Sequence, residues 1–400
     1  MLFIYVAAGA VFASIGARGL TVPLYAHELG ASRFEVGALF SVSTIAAAIL
    51  SLPSGALVDK FGARNLIVIS LVLTAGSQVA IALTPAVAPL FLWQIVGGLG
   101  AGIQQSAMFS AVTETVARSR LGRAMGWLTF SMQAGFFLGP SVAGLALSWI
   151  DIRTDIAVTT AVLAFSIPGA IAAGNTRQHA GRGISFRRPL HALLQQPAFV
   201  PVALGLVGIT ISWGTIGAYL PVFGKEALHL PDSEVGYLLA LQAVVNGASR
   251  IPAGRLVDRV RRRWPIVLAG GVGWSLVMVV LGHTSGFVLP AVLLVVGTPF
   301  TATAFVAIGV VFADLANAST RGVTMGMYGS VLFLGMSLGP LAFGPVVQSF
   351  GYAAGFTACA ATTVAFVLVM AATQSVRLGR RSEPAPAGDS ETRSPATRQV

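Results

Sequence analysis

The sequence predicts an all-α integral membrane protein: twelve transmembrane helices in two pseudo-symmetric six-helix bundles. Three observations predict it. The first is composition, since 55 % of the 400 residues are hydrophobic and 10 % charged, with 46 glycines. That leaves too little polar surface to cover a soluble core, whereas glycine is tolerated and useful in membrane helices. The second is length. A spanning helix needs roughly 20 mostly apolar residues, and such runs lie at 2–26, 35–57, 65–84, 87–112, 125–149, 155–173, 200–224, 234–257, 265–283, 286–312, 325–348 and 353–373. The third is an internal repeat: Pro53, Gly55, Leu57, Val58 and Asp59 return as Pro252, Gly254, Leu256, Val257 and Asp258, at an offset of 199 residues. Glu35-Val36-Gly37 returns at the same offset as Glu234-Val235-Gly236. A repeat this long, with apolar flanks, means two copies of one membrane unit.

The chain therefore divides into a first bundle (1–173), a cytoplasmic linker (174–199), a second bundle (200–375) and a disordered cytoplasmic tail (376–400) rich in Arg, Pro, Ser and Ala. The linker carries Arg177, His179, Arg182, Arg187, Arg188 and His191, and is expected to hold a short amphipathic helix lying on anionic lipid. The first apolar run lacks a basic leader and is too long for a signal peptide, so it counts as the first span.

The net charge of +11 is a topology signal, not a nucleic-acid footprint. Of the 25 Lys and Arg, all but Arg18, Arg33, Arg153 and Lys225 fall on one side of the predicted membrane. The positive-inside rule then puts both termini in the cytoplasm. Cys359 is the only cysteine, and His27, His179, His191, His229 and His283 all lie in or near loops. Neither a metal site nor a cofactor site is expected. With no nucleophile–base pair or phosphate loop either, an enzyme is not expected.

The turn after the second span holds Gly55, Asp59, Lys60, Gly62 and Arg64; its copy holds Gly254, Asp258 and Arg259. A generic basic loop explains Lys60 and Arg64. It does not explain an acid and a glycine at fixed spacing in both copies, which fits a state-dependent latch capping a neighbouring helix. In the fourth span Gly97, Gly98, Gly100 and Gly102 permit close helix approach, and Gln104, Gln105 and Ser106 follow at mid-membrane depth. Those three fit interhelical hydrogen bonds and ligand contacts equally well. The next turn carries Glu114, and its copy Asp314. The fifth span has Gly126, Gly135, Gly139-Pro140 and Gly144; the eleventh repeats Gly326, Gly335, Gly339-Pro340 and Gly344 at an offset of 200. Glycine stripes with proline suit close packing and a bend. The seventh span contains Trp213 and Tyr219, and the eighth has Gln242 and Asn246 one turn apart on one face.

These residues resemble the major facilitator superfamily over roughly 2–375. Ser51–Asn65 is similar to its G-x-L-x-D-[RK]-x-G-[RK] loop, and the resemblance makes Asp59 a latch between halves. In the second copy Arg261 stands where the second glycine belongs. The fifth span resembles the G-x8-G-x3-G-P-x2-G-G signature of exporters, especially the twelve-helix drug:proton antiporters, with Ala143 the one departure. Two features of that branch are missing. Gln94 stands where the fourth span commonly carries an arginine, and none of the 14 acids sits at mid-membrane.

Arg18 is the one charge expected inside a span, where it costs at least about 2.5–3.5 kcal/mol unless it faces a cavity. It can serve an anionic substrate, pair with a gating acid such as Glu28 or Glu35, or snorkel to the outer headgroups. The resemblance implies a proton-coupled exporter of small amphiphilic or anionic compounds in a bacterial cytoplasmic membrane, working as a monomer by alternating access. Spans 1, 4, 7 and 10 would line the cavity, with Arg18, Gln104, Gln105, Trp213 and Tyr219 as substrate contacts. Glu114 and Asp314 are the titratable candidates for coupling, with capping of their turns as the competing role. An importer or exchanger of small organic anions, a lipid flippase and a membrane scaffold are the alternatives.

Overall fold

The computed structural model describes residues 2–116, 121–172, 187–260, 262–315 and 321–382. The first half contains α1 (Leu2–Glu28), α2 (Arg33–Ser51), α3 (Ser54–Phe61), α4 (Ala63–Leu83), α5 (Val87–Thr115), α6 (Leu121–Ala146) and α7 (Ile152–Ala172). After α8 (Arg187–Leu194), the second half contains α9 (Phe199–Glu226), α10 (Asp232–Arg259), α11 (Trp264–Leu281), α12 (Val288–Ala313) and α13 (Arg321–Ser382). α13 is two spans, 321–350 and 352–382, joined at Gly351, whose φ of 84° suits glycine. The twelve predicted spans are all present, as two six-helix bundles. Eight helices among the described residues are long and apolar enough to cross a membrane; the stretch in α13 is long enough to do so twice.

Local chemistry sets the helix ends. Ser32 and Glu35 form a capping box before α2: the Ser32 hydroxyl accepts from the Glu35 N–H, and the Ser32 N–H donates to the Glu35 carboxylate at 2.8 Å. The Asp151 carboxylate caps α7, accepting from the Thr154 N–H at 3.2 Å and its hydroxyl at 2.6 Å. Those bonds hold Asp151 below the usual carboxylate range. Pro53 separates α2 from α3, and Gly62, at φ 80°, separates α3 from α4. The equivalent Pro252 lies inside an uninterrupted α10.

Glycines decide how the helices pack. A Cβ on Gly135 or Gly139 of α6 would overlap the α1 backbone at Gly9 and Ala13. On Gly335 it would overlap the Thr210 hydroxyl, and on Gly339 the Ile211 carbonyl, both on α9. At Gly139 and Gly339 the two repeats dock alike, on the carbonyls of the equivalent residues Ala13 and Ile211. Between halves, α2 runs along the first arm of α13, where the Ser41 hydroxyl donates to the Ser337 carbonyl and the Ser330 hydroxyl to the Ala48 carbonyl, each at 2.8 Å. α6 meets α10 at Gly144 and Gly236, where a side chain on either would sit 2.8 Å from the other's Cα.

Two details differ from the sequence expectation. Of the linker, 174–186 lies outside the described residues, but α8 and the turn after it dock on the second bundle: Leu193 is fully buried, and Gln196 donates to the Leu315 carbonyl at 3.1 Å. The last helix runs to Ser382, beyond 376, where the tail was expected to begin; residues 383–400 lie outside the described chain.

Candidate functional site

A cavity of about 280 Å³ lies where the halves meet. Its walls come from α1, α2, α4, α5 and α6 of the first half, and from α9, α10 and the first arm of α13 in the second. Of the four helices expected to line it, α1, α5 and α9 do so. The tenth span, α12, supplies none of its described lining residues. The seams α2–α13 and α6–α10 take up that part of the wall.

Arg18 and Trp213 both face this cavity. The Arg18 guanidinium donates to the Gln94 side-chain carbonyl, and its tip lies against Gly97, where any side chain would displace it. No carboxylate pairs with Arg18 among the described residues. Glu35 is engaged in its capping box instead. The Thr74 hydroxyl, against Gly100, is buried and has no hydrogen-bond partner, although Thr74 also lines the cavity. Trp213 meets Phe305 edge-on, with ring centroids 6.2 Å apart. Opposite, the second half contributes Leu239, Gln242, Phe333 and Met336.

Of the other expected substrate contacts, Tyr219 and Gln104 fall elsewhere. Tyr219 is fully buried outside the cavity: its hydroxyl donates to the Pro340 carbonyl at 3.2 Å and its ring packs on Tyr352. It joins α9 to α13 because Gly37 and Gly344 leave room for the phenol. Gln104 is buried away from the cavity with its Nε2 unpartnered, and Ser106 shares a 2.8 Å hydrogen bond with Ser54. The side chains of Gln105, Asp59, Glu114 and Gly126 lie outside the described residues. Gln94 and Thr74 were not expected here. Gln94 stood out in the sequence only as a missing arginine, and Thr74 gave no signal.

The two ends of the molecule differ. At the end away from the basic loops, Arg33 of the first half donates to Glu226 of the second at 2.6 Å. Tyr352 donates to the same carboxylate at 3.0 Å, His27 approaches it at 3.4 Å, and the Arg33 guanidinium stacks 5.0 Å from the Tyr352 ring centroid. Tyr219, Phe223 and Phe356 form an aromatic layer with Tyr352. This end is closed. At the basic end, Lys60, Asp258 and Arg259 are exposed, and a Cβ on Gly55 or Gly254 would meet nothing within 4 Å. Asp314 is exposed there and pairs with Arg263 of its own half at 2.7 Å. No ion pair among the described residues crosses between halves at that end. Asp155, in the first turn of α7, departs from the exposed acids: it is 2 % exposed, with Oδ2 unpartnered, inside the first bundle.

Comparison with known proteins fits this architecture. The model of the Major Facilitator Superfamily matches residues 4–231 and 202–399. An uncharacterised MFS-type transporter, MJ1560, of Methanocaldococcus jannaschii is 21 % identical over 338 residues, 82 % of this chain and 86 % of that protein. The quinolone resistance protein NorA of Staphylococcus aureus is 26 % identical over 134 residues, only 34 % of either chain. Among solved structures, a point mutant of the nucleoside transporter NupG superposes with a TM-score of 0.79 at 15 % identity, covering 93 % of this chain and 98 % of its own. A bacterial homologue of the human lysosomal transporter Spinster, inward-facing and unoccupied, gives 0.77 at 15 % identity, covering 96 % and 98 %. With both halves matched by the family model, this multi-pass membrane chain belongs to the major facilitator superfamily.

Proposed function

We propose that the protein is a proton-coupled exporter of small amphiphilic or anionic compounds in a bacterial cytoplasmic membrane, both termini inside, acting as a monomer. One observation carries the reading: a guanidinium with no carboxylate partner among the described residues opens on a cavity between two halves that, among the same residues, an ion pair joins at one end. A charge this deep has a large desolvation cost unless an anion joins it, so Arg18 is suited to receive one. The basic loops mark the inner side, so the Glu226 latch faces outward and the described state is closed to the outside. Export would require the Arg33–Glu226 contact to break while the inner ends close, bringing Asp59 and Asp258 to their neighbours. The partial likeness to NorA supports efflux, while NupG, a nucleoside transporter, is a reminder that the same fold carries other cargo.

The test is substrate-dependent proton movement in inside-out vesicles, across a panel of drugs and organic acids, with Asp59→Asn as control. Proton release from the lumen on substrate addition, lost in the control, is the expected result. Accumulation with no proton signal would overturn antiport. A second reading has its own support: no carboxylate lines the cavity among the described residues, which suits exchange of one organic anion for another.

A further inference from the structure

We infer that the cavity takes aromatic monocarboxylates, bound with the carboxylate on the first half and the ring on the second; this rests on reading the cavity as the transport site. Polar groups are distributed unequally across the walls. The first half presents the Arg18 guanidinium and the Gln94 amide, and also places there Thr74, whose hydroxyl is buried against Gly100 and unpartnered. Arg18 lies over Gly97 and Thr74 over Gly100, so guanidinium and hydroxyl sit about one turn apart along the same helix, α5. A planar guanidinium matches a carboxylate, which accepts several hydrogen bonds at once.

The facing wall is Trp213, Leu239, Phe333 and Met336, with Gln242 as its one polar side chain among the described residues. Aromatic and thioether groups favour a flat apolar body. Arg18 is the only charged residue of the described lining. It can neutralise one negative charge; a second, as on a phosphate monoester, would be buried unpaired at a cost of several kcal/mol. A cation would meet repulsion and no counter-charge. The volume of about 280 Å³ lies at the lower edge of the roughly 300–1,000 Å³ of small-molecule sites, which suits one or two rings.

The test measures binding, not movement, on the purified full-length chain in lipid nanodiscs. Equilibrium dialysis would compare 2-naphthoate, 2-naphthamide and 2-naphthylmethylammonium, which share a ring system and differ in charge. The expected order is acid first, amide at least tenfold weaker and the ammonium weakest. Arg18→Gln should lower naphthoate affinity at least tenfold and leave the amide unchanged, whereas Trp213→Ala should weaken both. Amide or ammonium binding as tightly as the acid in the unaltered protein would overturn the inference, and that comparison needs no variant to fold. Unchanged naphthoate affinity in folded Arg18→Gln would also overturn it. Proton-coupled movement of cations alone would sink this inference and leave the transporter reading intact. Acid-selective binding without any vesicle transport would do the reverse.

Discussion

The two halves share one set of glycine contacts, yet they are not equally polar inside. Gly16, Ala17 and Gly19 of α1 hold the places that Gly214, Thr215 and Gly217 hold in α9, 198 residues on. Gly16 abuts the Phe136 carbonyl and Pro140, and Gly214 abuts the Met336 carbonyl. Gly19 and Gly217 both line the cavity. On that common frame, Arg18 corresponds to Ile216, Gln94 to Leu294, Thr74 to Trp274 and Gln78 to Met278. In the first half, Gln78 joins Ser14 and Thr160 through hydrogen bonds of 2.9 and 3.1 Å. In the second, the equivalent Ser212 hydroxyl donates to the Ile209 carbonyl of its own helix at 2.9 Å, and the counterparts of Gln78 and Thr160 are the buried, apolar Met278 and Ala360. Duplication therefore conserved the backbone contacts, which tolerate no side chain, and left the interior chemistry free to diverge. The first half alone places a charged side chain, Arg18, in the described cavity wall.

The glycine frame should be the most sensitive feature in both halves alike. Gly139→Val and Gly339→Val each force a side chain into a neighbouring backbone carbonyl. Overpacking costs roughly 1–3 kcal/mol where side chains can yield, and more against backbone. Both variants should lose most of their monodisperse, heat-resistant fraction on fluorescence-detected size exclusion. Gly55→Ala and Gly254→Ala, with open space around them, should melt within a degree or so of the parent, since such surface changes stay within about 0.5 kcal/mol. A parent-like melting temperature for either valine variant would break the claim that the repeats dock alike at these two glycines.

The second test converts one half into the other. Gln94→Leu strips the Arg18 guanidinium of its acceptor and should destabilise by about 1.5–3 kcal/mol, the scale of a hydrogen bond to a charged group. Adding Arg18→Ile recreates the Ile216–Leu294 pair and should recover most of that loss, because an apolar pair often matches or exceeds a buried polar one. The double variant should bind no anion. Thermal unfolding of the four-member cycle decides it. A double variant less stable than Gln94→Leu would mean the first half's packing depends on polarity in a way the second half's does not.

How much of this was legible in the sequence follows from the same contrast. The spans, the repeat and the stripe through Gly135, Gly139, Pro140 and Gly144 were readable because steric rules leave few alternatives and because each occurs twice. Arg18 was readable because a charge inside an apolar run is costly. Its partner Gln94 lies 76 residues away in sequence and was not. Nor was the orientation of Tyr219, or the absence of α12 from the cavity wall. In a membrane both the lipid face and the core face of a helix are apolar, so periodicity does not say which side points inward. Glu226 and Arg33, 193 residues apart, looked like ordinary loop charges until the fold brought them together.

The Arg33–Glu226 latch extends the comparison to the two seams. Glu226 corresponds to Glu28 and Arg33 to Asp232, so the pseudo-twofold relates an attractive pair to two acids. Glu28 lies within electrostatic reach of Asp232, which is neutralised locally by Lys225 at 2.8 Å. One seam is pulled shut and the other is not, so opening should begin where the acids meet, with Glu226 as the restraint that yields last. Glu226→Gln keeps the shape of the cluster and removes its charge. Arg33 and Glu226 are both partly exposed, 35 % and 18 %, which limits the effect to about 1 kcal/mol or a fivefold change in the ratio of states. Spin labels on Ala86→Cys and Ser285→Cys, exposed in loops of opposite halves at the end away from the basic loops, report it in a Cys359→Ala background. The longer-distance population should grow several-fold in Glu226→Gln and shrink again as salt is lowered in the parent, where screening weakens. An unchanged distance distribution would mean that the aromatic layer of Tyr219, Phe223, Tyr352 and Phe356 alone holds the outer end, and that the asymmetry of the two seams is without mechanical consequence.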